Sequence, residues 1–190
     1  ITNYEAGAAN DINNDIKIYS ALRATGNIKV VNQERDVNVV SGTSVDATKV
    51  ELYAYGDVKN NASIHSAKQV YLVAGDDIRN KASITSGKDL ILWSMKGDIE
   101  NEGTIQAVEK IDMDATWGNV YNFAGITSTN AAVDILAGKN IINLGDNAND
   151  AITAKGEVVL DAGEVLINTA KIISTDADVS IQANAGVMNI

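Results

Sequence analysis

The stretch GDVKNNASIHSAKQVYLVA (56–74) is followed at once by GDDIRNKASITSGKDLILWS (75–94), which restates it almost position for position. Self-similarity at a fixed short period marks a repeat architecture. Aligning the later chain on this pair gives three alternating apolar stretches per unit. The first reads apolar-x-Asn, from Val58-Lys59-Asn60 to Val187-Met188-Asn189. Its asparagines, Asn60, Asn80, Asn101, Asn122, Asn143, Asn168 and Asn189, recur at spacings of 20, 21, 21, 21, 25 and 21. The second reads Ile-x-Ser/Ala, as in Ile64-His65-Ser66 and Ile105-Gln106-Ala107. The third reads apolar-x-apolar-x-small, as in Val70, Leu72, Ala74 and Leu90, Leu92, Ser94.

Strict alternation is the period of a β-strand, and no 3.6-residue apolar period competes with it. Three such short strands have no room to pair with one another inside a unit of about 21 residues. Each must pair with its equivalent in the next unit, in parallel and in register. The expected fold is therefore all-β: a parallel β-helix with three short strands per coil and coils about 4.8 Å apart. The asparagines then occupy one corner of every coil, pointing inward and bonding along the axis.

The chain 1–190 is expected to be one repeat domain, regular over 37–190 and less regular over 1–36. Val37, Val39 and Val45 fit the coil before Val58, and Ile28 with Val30, or Ile16 with Ile18, fit earlier ones. About five extra residues between Asn143 and Ile152 are expected to loop outward. Proline is absent while asparagine occurs 21 times, so asparagine and glycine are expected to supply left-handed corners.

Composition narrows the function. Hydrophobic residues at 45% and charged residues at 21% describe a globular chain. No cysteine is present, which excludes disulfides and thiolate metal sites. His65 is the single histidine, which argues against a multi-histidine metal centre or a Ser-His-Asp triad. A net charge of −10 argues against nucleic acid or an anionic membrane as partner. No apolar run approaches the roughly 18 residues of a membrane span.

Outward positions form columns along each face. In the first strand the column is Lys59, Arg79, Glu100, Tyr121, Ile142, Ile167 and Met188; its apolar half is expected to be covered by the rest of the chain, a neighbouring copy or a loop such as 144–151, or else to be a ligand or receptor surface. Third-strand positions Tyr53, Tyr71, Ile91 and Trp93 suggest a stacking platform for a sugar ring or a partner's side chain, or a surface covered by the N-terminal segment. Asp112 and Asp134 should lie in adjacent coils. Paired carboxylates act across glycosidic bonds in hydrolases, but no outward basic residue is expected beside these two. A solvated acidic face is the favoured reading, with weak calcium sites at Asp112 and Asp134 or at Asp146 and Asp150 as alternatives. No other cofactor is expected.

The unit Gly97-Asp98-Ile99-Glu100-Asn101-Glu102-Gly103-Thr104-Ile105, followed by Val-x-Leu-x-Ala stretches elsewhere, resembles the repeats of filamentous haemagglutinin-like exoproteins. These are two-partner-secreted proteins of Gram-negative bacteria, and the resemblance covers about residues 37–190. It implies a right-handed β-helical shaft outside the cell, secreted through an outer-membrane transporter or displayed at the bacterial surface. The family includes adhesins and the sticks of contact-dependent growth-inhibition toxins. Its partners would be the rest of its own shaft and a host or bacterial receptor or glycan. Its secretion domain carries Asn-Pro-Asn motifs, which a chain without proline lacks, so the resemblance implies an internal or distal shaft segment. The expected function is a structural, non-enzymatic shaft contributing to adhesion; a toxin stick and a polysaccharide lyase or hydrolase are the alternatives.

Overall fold

The computed structural model describes residues 14–145 and 148–190. Within them the chain winds through eight coils and the first strand of a ninth, building three parallel sheets that run the length of the solenoid. The first sheet has nine strands, from Ile16–Ile18 through Ile99–Asn101 to Gly186–Asn189. The second has eight, from Leu22–Arg23 to Ile172–Ser174, and the third eight, from Asn27–Asn32 to Val179–Ala183. Coils 3, 4, 5 and 6 begin at Val58, Ile78, Ile99 and Val120.

Register follows the repeat. Ile84 sits opposite Ile64 and Ile105, and Leu92 opposite Leu72 and Met113. Alternation turns these residues inward, where identical or isosteric side chains stack as buried columns. In the N-terminal quarter both readings hold at once: Ile16–Ile18 is the first-sheet strand of coil 1 and Ile28 to Val30 lies in its third-sheet strand. Val39 takes the place that asparagine fills from coil 3 onward.

The asparagine corner is one continuous chain of side-chain amides. Nδ2 of Asn60 donates to Oδ1 of Asn80 at 2.7 Å, and the same bond repeats from Asn80 to Asn101, Asn122, Asn143, Asn168 and Asn189 at 2.6–2.8 Å. Asn122 and Asn168 also donate to the carbonyls of Ala124 and Ala170 in their own corners. At the second corner, buried Ser66 and Ser128 donate to the carbonyls of Thr48 and Glu109 at 2.9 and 2.7 Å. Among the described residues no buried side-chain polar atom lacks a partner, which is what a polar-lined interior requires.

The corners are not left-handed. Among the described residues only Asn14 and Gly42 have positive φ. Glycine is used instead for close approach: a Cβ at Gly118 or Gly163 would overlap the carbonyl oxygen of Gly97 or Gly138 in the preceding coil. The insertion after Asn143 also differs from a free outward loop. Its short 3-10 turn, Ala148–Asp150, packs back so closely that a Cβ at Gly125 would overlap the Asn149 carbonyl, and Ala151 is buried beside it.

Asn101→Leu preserves bulk but leaves Asn80 Nδ2 without its acceptor and Asn122 Oδ1 without its donor. The expected cost is about 1–3 kcal/mol for each group left unpaired. A denaturant midpoint equal to that of the parent chain would contradict the ladder's role.

Candidate functional site

The solenoid presents three outer faces, and the third-sheet face carries the aromatic residues of its strands in two columns. One column runs Lys29, Glu51, Tyr71, Ile91, Asp112, Asp134; the other runs Val31, Tyr53, Val73, Trp93, Asp114, Leu136. The three rings therefore do not make a single stack. Tyr53 and Trp93 are two coils apart with Val73 between them, and Tyr71 lies in the neighbouring column.

Their polar neighbours already engage them. Lys29 Nζ lies 5.1 Å from the centroid of Tyr53, and Lys49 Nζ 4.6 Å from that of Tyr71. Tyr53 donates its hydroxyl to Glu51 Oε1 at 3.1 Å, and Lys49 pairs with the same oxygen at 2.9 Å. Burial, then the Glu51 charge and hydrogen bond, push the Tyr53 phenol above its ordinary value. Burial acts to raise the Glu51 carboxyl too, but the hydrogen bonds from Lys49 and Tyr53 more than offset it and hold the group low. Val73, outward by alternation, is only 8% exposed between its two aromatic neighbours. Trp93 is 41% exposed, and its indole is fixed by donation to Thr116 Oγ1 at 3.0 Å, which in turn donates to Asp114 at 3.1 Å. Ile91 is half-buried.

Asp112 and Asp134 do lie in adjacent coils, but the expectation that no basic residue joins them fails. Lys110, from the preceding corner, reaches Asp112 at 3.2 Å and Asp134 at 2.7 Å. Burial tends to lower this ammonium's pKa, but the two carboxylates win and raise it. The pair is thus an ion-pair cluster bridged by Lys110. Asp114 beside it is pushed up, first by burial and then by the Asp112 charge, against the Thr116 hydrogen bond. Among the described residues no three His, Asp or Glu side chains assemble to hold a metal ion. Asp146 lies outside the described residues, and Asp150 ends the 3-10 turn.

On the first-sheet face, Tyr121, Ile142 and Ile167 are in one column and half-buried, and Met188 extends it at the exposed end. His65 is exposed on the second-sheet face between Asp46 and Thr85. Among the described residues, four exposed aromatic side chains escape the column reading because they sit on corners: Tyr19, Tyr55, Trp117 at 70% exposure, and Phe123.

A second ladder runs along the corner before the first sheet. Asp36 Oδ1 accepts the amide of Asp57 at 2.8 Å; Asp57 accepts from Asp77, Asp77 from Asp98 and Asp98 from Asn119 at 2.7–3.0 Å. Asn119 and Asn140 continue it to the amides of Asn140 and Val165. Its signal is the recurring Asp or Asn one residue before the apolar-x-Asn strands that open at Val58, Ile78, Ile99, Val120 and Ile141. Lys59 neutralises its start, 2.6 Å from Asp36 and 3.0 Å from Asp57. Burial would raise the Asp36 carboxyl, but Lys59 and the Asp57 amide hold it below its ordinary value.

Comparison with protein families, with curated proteins and with solved structures finds no match for this chain.

A carboxyl held below its ordinary value stabilises the fold above that value and loses the contribution as pH falls through the folded one. Asp36, ordinarily at 3.8, and Glu51, ordinarily at 4.5, both act in this sense; Asp114 acts in the opposite one. Asp36→Asn should therefore flatten the fall in stability below about pH 4, read from urea midpoints across an acid series. A parallel fall in both chains would refute the assignment.

For the aromatic face, the double change Tyr71→Ser with Trp93→Ser separates two roles. Lost cell or glycan binding at unchanged melting temperature would assign recognition to the patch. A lowered melting temperature would assign it to packing.

Proposed function

We propose that this chain is a structural, non-catalytic shaft segment of a bacterial exoprotein, secreted or displayed at the cell surface and contributing to adhesion. The observation that carries the reading is the uniformity of the coils. The inward columns run through every coil, the asparagine bond repeats at each step from coil 3 onward, and the bond from a corner Asp or Asn side chain to the next coil's amide repeats from Asp36 to Val165. Eight coils at about 4.8 Å make a rod roughly 38 Å long, which holds its outer faces at fixed spacing. A site presented on such a rod is displaced from its anchor without a flexible linker. The resemblance of the Gly-Asp-Ile-x-Asn units to haemagglutinin-like shafts supports the same assignment. The clustering of Lys110 with Asp112 and Asp134 favours it over a glycosidase reading.

Beads coated with the chain should retain cells above uncoated beads, and incubation with acidic polysaccharides should release no new reducing ends. Absence of chain-dependent attachment would remove adhesion from the reading, and new reducing ends would replace it with catalysis.

A further inference from the structure

In two successive coils the corner carboxylate on the first-sheet face is paired with a cation two residues on. In coil 3, Lys59 stands two residues after Asp57 and lies 3.0 Å from it. In coil 4, Arg79 stands two residues after Asp77 and donates to it at 2.7 Å. Coil 5 breaks the pattern, because the residue two after Asp98 is Glu100. A carboxylate thus occupies the place of the cation, directly in register with Arg79 on one side and Tyr121 on the other. The break coincides with a cavity of about 300 Å³ walled by Asp77, Arg79, Asp98, Glu100, Tyr121 and Phe123. Three carboxylates meet one guanidinium there. That guanidinium is committed to Asp77, and its Nε stands 3.8 Å from Glu100, beyond hydrogen-bond reach. The Tyr121 phenol is pushed up, first by burial and then by the Asp98 and Glu100 charges.

We propose that this cavity binds a primary alkylammonium group, presented as a lysine side chain by a partner protein, in the cation position that coil 5 lacks. Each part of the wall has a counterpart in such a ligand. Glu100 and Asp98 accept its N–H groups. The rings of Tyr121 and Phe123 attract a cation and pack against its alkyl stem. An anionic ligand meets three carboxylates, and a quaternary ammonium has no N–H for them to receive. The acidic chain, at −10, draws a basic partner toward it. The inference deepens the adhesion reading, which supplies the partner surface.

Phe123 is the chain's only phenylalanine, so ring-labelled phenylalanine places one NMR reporter in the cavity. The whole chain is titrated with Nα-acetyl-lysine methylamide, with its neutral norleucine counterpart, and with tetramethylammonium. The lysine probe should give a saturable shift that weakens with added salt. The other two probes should bind at least tenfold more weakly. Glu100→Gln should weaken lysine binding at least tenfold. Glu100→Arg, which restores the pattern of coils 3 and 4, should abolish it without lowering the melting temperature. No saturable shift, an equal response to norleucine or tetramethylammonium, or unchanged affinity in Glu100→Gln would each overturn the proposal. Cell attachment is scored separately. Adherence without a lysine response overturns this site alone, and a lysine response without adherence overturns the adhesion reading alone.

Discussion

Each coil must place its polar corner groups directly above those of the coil before it, and the rest of the structure depends on that stacking. A parallel in-register solenoid sets like residue against like, so the asparagines from Asn60 to Asn189 meet their own kind. Asparagine tolerates this because its amide is both donor and acceptor. The run from Asn60 to Asn189 uses both functions at every step. A serine meets the same demand differently, by donating to the backbone carbonyl of the corner. Burial of aliphatic columns supplies the driving force, but those columns stay in register only because the corners admit one alignment.

Stacked carboxylates face the opposite problem, since like meets like with no donor. The corner Asp36, Asp57, Asp77 and Asp98 avoid direct opposition by taking backbone amides from the next coil. Lys59 neutralises the first two and Arg79 the third. At Asn119 the charge disappears and the side chain donates back to Asp98 at 2.9 Å. The solenoid therefore changes its electrostatic character along its length while its backbone repeats unchanged.

The fold was readable because the inward positions are chemically uniform. Ile64, Ile84 and Ile105, or Asn80, Asn101 and Asn122, announce their equivalence by identity and spacing. The corner aspartates were visible in the same Gly-Asp units, yet their amide bonds follow from stacking distance, which the residue pattern does not contain. The outer faces were harder for a physical reason. Side chains there meet residues from corners, which belong to no strand column, so Lys110 between Asp112 and Asp134 was missed. Long side chains also reach diagonally, as Lys29 and Lys49 do over Tyr53 and Tyr71. Alternation assigns Val73 to the outside, but its flanking rings keep it from water.

The asparagine run has a direction. Every step donates from Nδ2 of the earlier coil to Oδ1 of the later one, and the carbonyls of Ala124 and Ala170 fix the sense by accepting from the same nitrogens. The strand ladders of a parallel sheet send hydrogen bonds both ways between neighbours, so they leave this sense uncancelled. The side-chain amides consequently add head to tail into an axial dipole, negative toward the early coils and positive toward the late ones. At its early end the row stops at Asn60, where Val39 stands in the preceding coil's place and Asn60 Oδ1 accepts the Ala62 amide instead. The polarity of the solenoid from coil 3 onward is thus written into a single column of uncharged residues.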